Sequence, residues 1–175
     1  NDGNLFYKDA LNNGAKVCIL EENSVANKID IENIKEKYNN SNIILVDDTI
    51  KAIQKLAIYK RNKYNIPVVG ITGSVGKTST KDIVASVMSK KYKVLKTLGN
   101  FNSQIGLPLT ILGLKDHNAM VLEMGMNQLG EIRRLTNIAK PTIAVITNIG
   151  TAHIGILGTR ENILKAKLEI IEGLE

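Results

Sequence analysis

The sequence predicts an α/β fold, a parallel sheet covered by helices on both faces. Short apolar runs alternate with segments of helical periodicity along most of the chain. One of those runs opens into a glycine-rich turn and a helix start, Pro67-Val-Val-Gly-Ile-Thr-Gly-Ser-Val-Gly-Lys-Thr-Ser-Thr80. Alternation of this kind places ligands at the carboxyl ends of the strands.

In order along the chain, residues 2–14 read as a polar start and a helix ending near Gly14, and Lys16 to Leu20 as a strand. Asn23 to Asn40 is polar, with a short helix expected near 31–38. Ile43 to Val46 is four apolar residues between Asn42 and Asp47, the mark of a short buried strand. Ile50, Ile53, Leu56, Ala57 and Tyr64 then recur at helical spacing, with Asp48 or Thr49 as the cap. Pro67 stops that helix, so residues 64–67 are the expected boundary between a domain over 1–65 and another over 66–175. Val68 to Thr72 is a strand, followed by a helix to about Lys91 whose Ile83, Val84, Val87 and Met88 are expected on one face. Further strands are expected over 93–97, 119–123 and 142–148, and helices over 130–140 and 159–171. Leu98 to Pro108 is a long loop leading into an apolar segment that ends at Leu114.

Composition narrows the function classes. The chain has 175 residues, 43% hydrophobic and 23% charged, which is the composition of a folded globular protein. Its net charge of +6 comes from scattered lysines and arginines, and aromatic residues are only 4%. That pattern disfavours a nucleic-acid platform, which stacks bases on aromatic rings. Cys18 has no second cysteine to pair with and sits in an apolar run as a small hydrophobe. No apolar stretch reaches the ~18 residues of a membrane span. The first residue, Asn1, and an end at Glu175 inside a helical pattern suggest a fragment, expected to be inactive alone.

The glycine-rich turn carries the chemistry. Backbone N–H groups of residues 73–76 and the following helix N-terminus converge on one point, which suits a phosphate. Gly73 and Gly76 let the backbone curl, Lys77 adds a mobile positive charge, and the Thr78 hydroxyl suits a magnesium ion. Ser74, Val75 and Ser79 complete the loop. The longer phosphate-loop pattern would have glycine at position 71, where this chain has Ile71.

Two more strands end in polar residues on the same edge. Glu123 closes an apolar strand. It reads either as a strand-end carboxylate facing water or, beside a phosphate loop, as an Mg²⁺ ligand. His153 lies in a loop of small residues after the strand ending near Asn148, and reads as a solvated histidine or as a metal or transition-state contact. His117 sits in a turn and has no such context. Asn100, Asn102, Ser103 and Gln104 form either an ordinary surface loop or a set of hydrogen-bonding groups for a polar substrate.

Five blocks taken together resemble the Mur ligases, the ATP-dependent amide ligases of peptidoglycan precursor synthesis. They are Gly70-Ile-Thr-Gly-Ser-Val-Gly-Lys-Thr, Gly99-Asn-Phe-Asn-Ser-Gln-Ile-Gly-Leu-Pro-Leu, Glu123-Met-Gly-Met-Asn-Gln-Leu-Gly-Glu-Ile, Thr147-Asn-Ile-Gly-Thr-Ala-His and Ala166-Lys-Leu-Glu-Ile. Within the family the blocks are most similar to the branch that joins D-alanyl-D-alanine to UDP-N-acetylmuramoyl-tripeptide. The resemblance explains Ile71, because the family uses the shorter loop. It implies that residues 1–65 are the tail of a smaller α/β, UDP-substrate-binding domain. Residues 66–175 would be the leading part of a phosphate-loop ATPase domain, with the family's C-terminal domain absent.

The resemblance further implies ATP and two Mg²⁺ as cofactors, with Lys77 on the β- and γ-phosphates and Thr78, Glu123, His153 and Lys167 as metal ligands. Lys167 matches the family lysine that becomes carbamylated. From its pattern alone it is an exposed helix lysine. Lys77, His153 and Lys167 would be the catalytic residues, and Asn100 and Asn102 would lie near the reacting groups. A monomer in the bacterial cytoplasm, serving cell-wall biogenesis and so cell shape and division, is the implied setting. Departures from the family pattern are Ser79, Gly155 and Thr159. A sister ligase, a folylpolyglutamate synthetase-like enzyme and a bare nucleotide-binding module remain alternatives.

Overall fold

A computed structural model describes residues 3–25, 31–38 and 42–175. The chain divides into two compact units, Asn1–Ala52 and Ile53–Glu175. In the first, a 3-10 turn over Gly3–Phe6 leads into α1 (Tyr7–Asn12), β1 (Val17–Glu21), α2 (Glu22–Val25), α3 (Ile31–Lys37) and β2 (Asn42–Val46). β1 and β2 pair in parallel, with Cys18 opposite Ile43 and Leu20 opposite Leu45. Alternate residues of β1 face inward, so Cys18 and Leu20 join Tyr7, Leu11 and Ile34 in a small core. The thiol is buried as expected, and burial raises its pKa. α4 (Thr49–Arg61) begins under an Asp48 cap, whose Oδ1 accepts from Lys51 N at 2.9 Å.

The division falls inside α4, earlier than the 64–67 boundary that Pro67 suggested. The C-terminal half of α4 belongs to the second unit because Ala57 and Ile58 pack in its core and the last residue is pinned there. Arg61 is 4% exposed. It donates to Ala139 O at 2.7 Å, Lys140 O at 2.9 Å and Tyr64 O at 2.6 Å. The first two carbonyls close a later helix, α7 (Glu131–Ala139), so one guanidinium satisfies acceptors that a helix C-terminus leaves unpaired.

The second unit is a four-stranded parallel sheet in the order β4 (Val94–Lys96), β5 (Ala119–Glu123), β3 (Val68–Thr72), β6 (Ile143–Ile146). β3 and β5 are buried along their whole length. They are central strands covered on both faces, so they read as continuous apolar runs rather than alternating ones. Val69, Ile71 and Val121 pack under α5 (Lys77–Met88) on one face. Val68, Met120 and Leu122 pack on the other face with Leu107, Ile111, Leu135 and Ile163. Those last four come from α6 (Gly106–Leu112), α7 and α9 (Arg160–Leu168).

Three details differ from the sequence reading. Ile83 and Val87 of α5 are 65% and 67% exposed, while Val84, Ala85 and Met88 face the sheet. At about 100° per residue, Val84, Ala85 and Met88 fall within one arc of about 100°, while Val87 and Ile83 lie about 100° and 140° from Met88 on the far side of Val84. The helix expected over 159–171 is α9 followed, from Glu169 to Gly173, by a tighter 3-10 turn. One short helix, α8 (Ile154–Leu157), lies in the stretch read as loop. Among the described residues, no helix is long and apolar enough to cross a membrane.

Arg61→Ala should remove three charge-assisted bonds and leave the buried Ala139 carbonyl without its partner, lowering unfolding free energy by about 2–4 kcal/mol. Urea denaturation of parent and variant measures it. A loss of a few tenths would mean that water replaces the guanidinium without cost.

Candidate active site

Because the strands are parallel, β3, β5 and β6 deliver their carboxyl ends to one edge. β3 runs directly into the glycine-rich loop. Gly73 has φ +150° and lies so close to β6 that an added Cβ would stand 1.8 Å from Thr147 Oγ1. Gly76 is left-handed at φ +80° and forms the N-cap of α5, which has no side-chain cap. The N-terminal donors of α5 therefore stay available to an anion. Lys77 curls back to donate from Nζ to Gly73 O at 2.9 Å. Ser79 lies exposed on the first turn of α5.

The segment after β6 braces this loop. Ser74 N donates to Asn148 O and Val75 N to Asn148 Oδ1, both at 3.1 Å. Thr147 Oγ1 donates to Val75 O at 2.6 Å, and Gly150 N to Ser74 Oγ at 2.9 Å. Asn148 thus fixes the curl of the loop, a role that sequence reasoning missed. Its only signal was a polar residue at a strand end.

Glu123 is 2% exposed, which rules out a strand-end carboxylate facing water. Thr78 Oγ1 donates to its Oε2 at 2.9 Å and Asn102 Nδ2 to its Oε1 at 2.8 Å. Its own N–H donates to the buried Thr97 Oγ1 at 3.0 Å. A buried carboxylate is costly unless it is hydrogen-bonded or paired, and here both oxygens meet neutral donors. No ion pair reaches it among the described residues. A hard carboxylate and a hydroxyl, side by side next to a phosphate loop, form a donor set that fits Mg²⁺.

The asparagine-rich loop does more structural work than substrate binding would need. Asn102 holds Glu123 by its side chain and Gly125 N by its carbonyl at 2.8 Å. Gln104 Nε2 donates to Glu131 O at 2.9 Å, and Ser103 Oγ accepts from Gly106 N at 3.2 Å. Asn100 and Ser103 are exposed, and Asn102 and Gln104 half-buried.

His153 is exposed and left-handed at φ +66°, on the segment that Gly150 ties to Ser74. Lys167 lies on α9 and is 2% exposed, against its pattern as a surface lysine. Burial, with the Lys77 charge second, lowers its pKa from 10.5 to about 8. The neutral amine is thus accessible near neutral pH. No three His, Cys, Asp or Glu side chains among the described residues converge to hold an ion by themselves. The expected ligand set draws instead on a hydroxyl and a modified lysine.

The family model of the Mur ligase middle domain matches residues 71–175. UDP-N-acetylmuramoyl-tripeptide--D-alanyl-D-alanine ligase of Bacillus subtilis is 46% identical over 175 residues, covering 99% of this chain and 36% of that protein. The protein of the same name from Synechocystis is 42% identical over 171 residues, covering 97% and 36%. Among solved structures, MurF from Thermotoga maritima in complex with ADP aligns at TM-score 0.84 and 40% identity, over 99% of this chain and 38% of that one. MurF from Acinetobacter baumannii aligns at 0.85 and 35% identity, over 98% and 36%. The chain thus spans about 36% of the length of the relatives it matches.

Lys167 yields a pH signature. Its folded pKa, about 8, lies below its ordinary 10.5, so between those values the unfolded chain binds more protons than the native one. Native stability contributed by this group therefore rises with pH across that window and is lowest below it. In CO₂-free buffer, Lys167→Met should be more stable than the parent at pH 7, with the margin shrinking by pH 9.5. Urea midpoints at both pH values measure it, and a constant margin would contradict the assignment.

Proposed function

Because this chain belongs to the Mur ligase family, we propose that it serves an ATP-dependent ligase joining D-alanyl-D-alanine to UDP-N-acetylmuramoyl-tripeptide. The unit up to Ala52 supplies the end of the UDP-substrate domain and the unit from Ile53 the leading part of the ATP-binding domain. The observation that carries the reading is the buried Glu123 carboxylate, hydrogen-bonded to the phosphate-loop hydroxyl of Thr78. A carboxylate kept there with no ion pair among the described residues suits a nucleotide-bound metal.

The reaction sets an anionic tripeptide carboxylate against an anionic γ-phosphoryl group. Attack forms an acyl phosphate and releases ADP. The amine of D-alanyl-D-alanine then attacks the acyl carbon, and the tetrahedral intermediate collapses to amide and inorganic phosphate. The barrier to overcome is charge repulsion, and preorganised positive groups lower it. Lys77 swings from Gly73 O to the β- and γ-phosphates, and the N-terminal donors of α5 hold the phosphate chain. Mg²⁺, when bound, neutralises phosphate charge, and Thr78, Glu123, His153 and Lys167 are the residues that would hold two such ions.

Lys167 would serve as a carbamate. Its neutral amine adds CO₂ and loses a proton, which turns a buried cation into an anion beside Lys77. The buried position and lowered pKa of Lys167 support this step. Asn100 remains a candidate for substrate contact, while Asn102 acts on Glu123. The substrates are those of cell-wall precursor synthesis in the bacterial cytoplasm, and the protein acts as a monomer.

The experiments use the natural protein that contains this chain. With ATP, tripeptide substrate and hydroxylamine, a hydroxamate of the tripeptide should accumulate, and its absence would remove the acyl phosphate from the scheme. Lys77→Ala should cut ligation at least ~10³-fold, about 4 kcal/mol of transition-state stabilisation. Lys167→Ala should be crippled and partly rescued by a short carboxylic acid, whereas normal activity in that variant would dismiss the carbamate.

A further inference from the structure

Glu169 is a buried carboxylate that the scheme above leaves unused. It follows Lys167 by two residues, where α9 tightens into the 3-10 turn, and its side chain is 4% exposed. Its Oε1 accepts from Gly130 N at 2.7 Å and its Oε2 from Arg133 N at 3.0 Å. These are the N-cap and third-residue amides of α7, donors that a helix N-terminus leaves without partners. Gly130 has no side chain to cap them. The cap arrives instead from Glu169, 39 residues further along the chain.

The same segment is fastened to α7 twice more. Thr136 Oγ1 donates to Ile170 O at 2.9 Å. Gly173 lies so close that an added Cβ would stand 2.8 Å from Thr136 O. Beyond α7, the clamp reaches the other side of the candidate site. The loop leaving Glu123 ends at Gly130, Glu131 Oε2 accepts from Asn127 N at 2.6 Å, and Gln104 Nε2 donates to Glu131 O. One end of the Glu169 clamp is thus on the segment that carries Lys167, and the other closes the loop that begins at Glu123.

We propose that Glu169 is a positioning residue. By capping α7 it fixes the backbone that carries Lys167 against the strand end that carries Glu123, and so sets where the Lys167 amine takes up CO₂. This rests on the carbamate reading above. Residues 167 and 169 lie about 200° apart on a helical segment, so the carboxylate grips α7 while the amine points away from it.

The test is ¹³C NMR of the natural protein containing this chain, equilibrated with ¹³C-bicarbonate, with Mg²⁺-free ADP affinity measured alongside. The parent should give a carbamate resonance that Lys167→Ala abolishes. Glu169→Gln should reduce that resonance several-fold while ADP affinity holds, because the phosphate loop lies outside the clamp. A resonance of full intensity in Glu169→Gln would overturn the proposal and leave the carbamate reading intact. No Lys167-dependent resonance in the parent would overturn both. Should Glu169→Gln fail to fold, Thr136→Val loosens the same clamp more gently, and a reduced or full resonance there decides in the same way.

Discussion

A carboxylate buried at the end of β5 constrains most of what surrounds it. Glu123 keeps its charge out of water only because Thr78, Asn102 and Thr97 meet its two oxygens and its backbone from three directions. Thr78 comes from the phosphate loop, Asn102 from the long loop after β4, and Thr97 from the end of β4 itself. Each of these segments is held by the carboxylate as much as it holds it. The polar edge of the sheet is therefore one connected hydrogen-bond network, of the kind whose members lose more than a pairwise share when one is removed.

The second constraint is electrostatic. Burial first, and the charge of Lys77 second, depress the pKa of Lys167. Two cations that feel one another's charge suit a site that receives polyanions. Phosphates would meet Lys77, and a carbamate would turn the remaining excess positive charge at Lys167 into a negative ligand. The hydrogen bond from Lys77 to Gly73 O is a local partner that an incoming phosphate oxygen would replace without leaving the ammonium unsatisfied.

Much of this was legible in the sequence, for physical reasons. β3 and β5 are continuous apolar runs with sharp polar ends, so their bounds follow from burial on both faces. The glycine-rich loop is local in sequence, Glu123 stands out as the polar end of an apolar strand, and only the family resemblance draws notice to Lys167. What escaped was tertiary. That Lys167 is buried depends on α9 packing against the sheet, which no helical pattern around position 167 announces. Asn102 reads as a loop amide until β5 brings Glu123 to it. Glu169 reads as a surface acid in a helix until the N-terminus of α7 is seen without a cap of its own. The end of α4 belongs with the second unit through Ala57 and Ile58 in its core and the buried Arg61, while the visible punctuation, Pro67, lies beyond it.

The most direct measurement of the central claim, that Glu123 is held ready for a nucleotide-bound metal, is ADP affinity with and without Mg²⁺ in parent and Glu123→Gln. In the parent, Mg²⁺ should tighten ADP binding roughly tenfold, about 1.4 kcal/mol. Glu123→Gln should keep the metal-free affinity and lose that gain. A variant that retained the full Mg²⁺ enhancement would contradict the account.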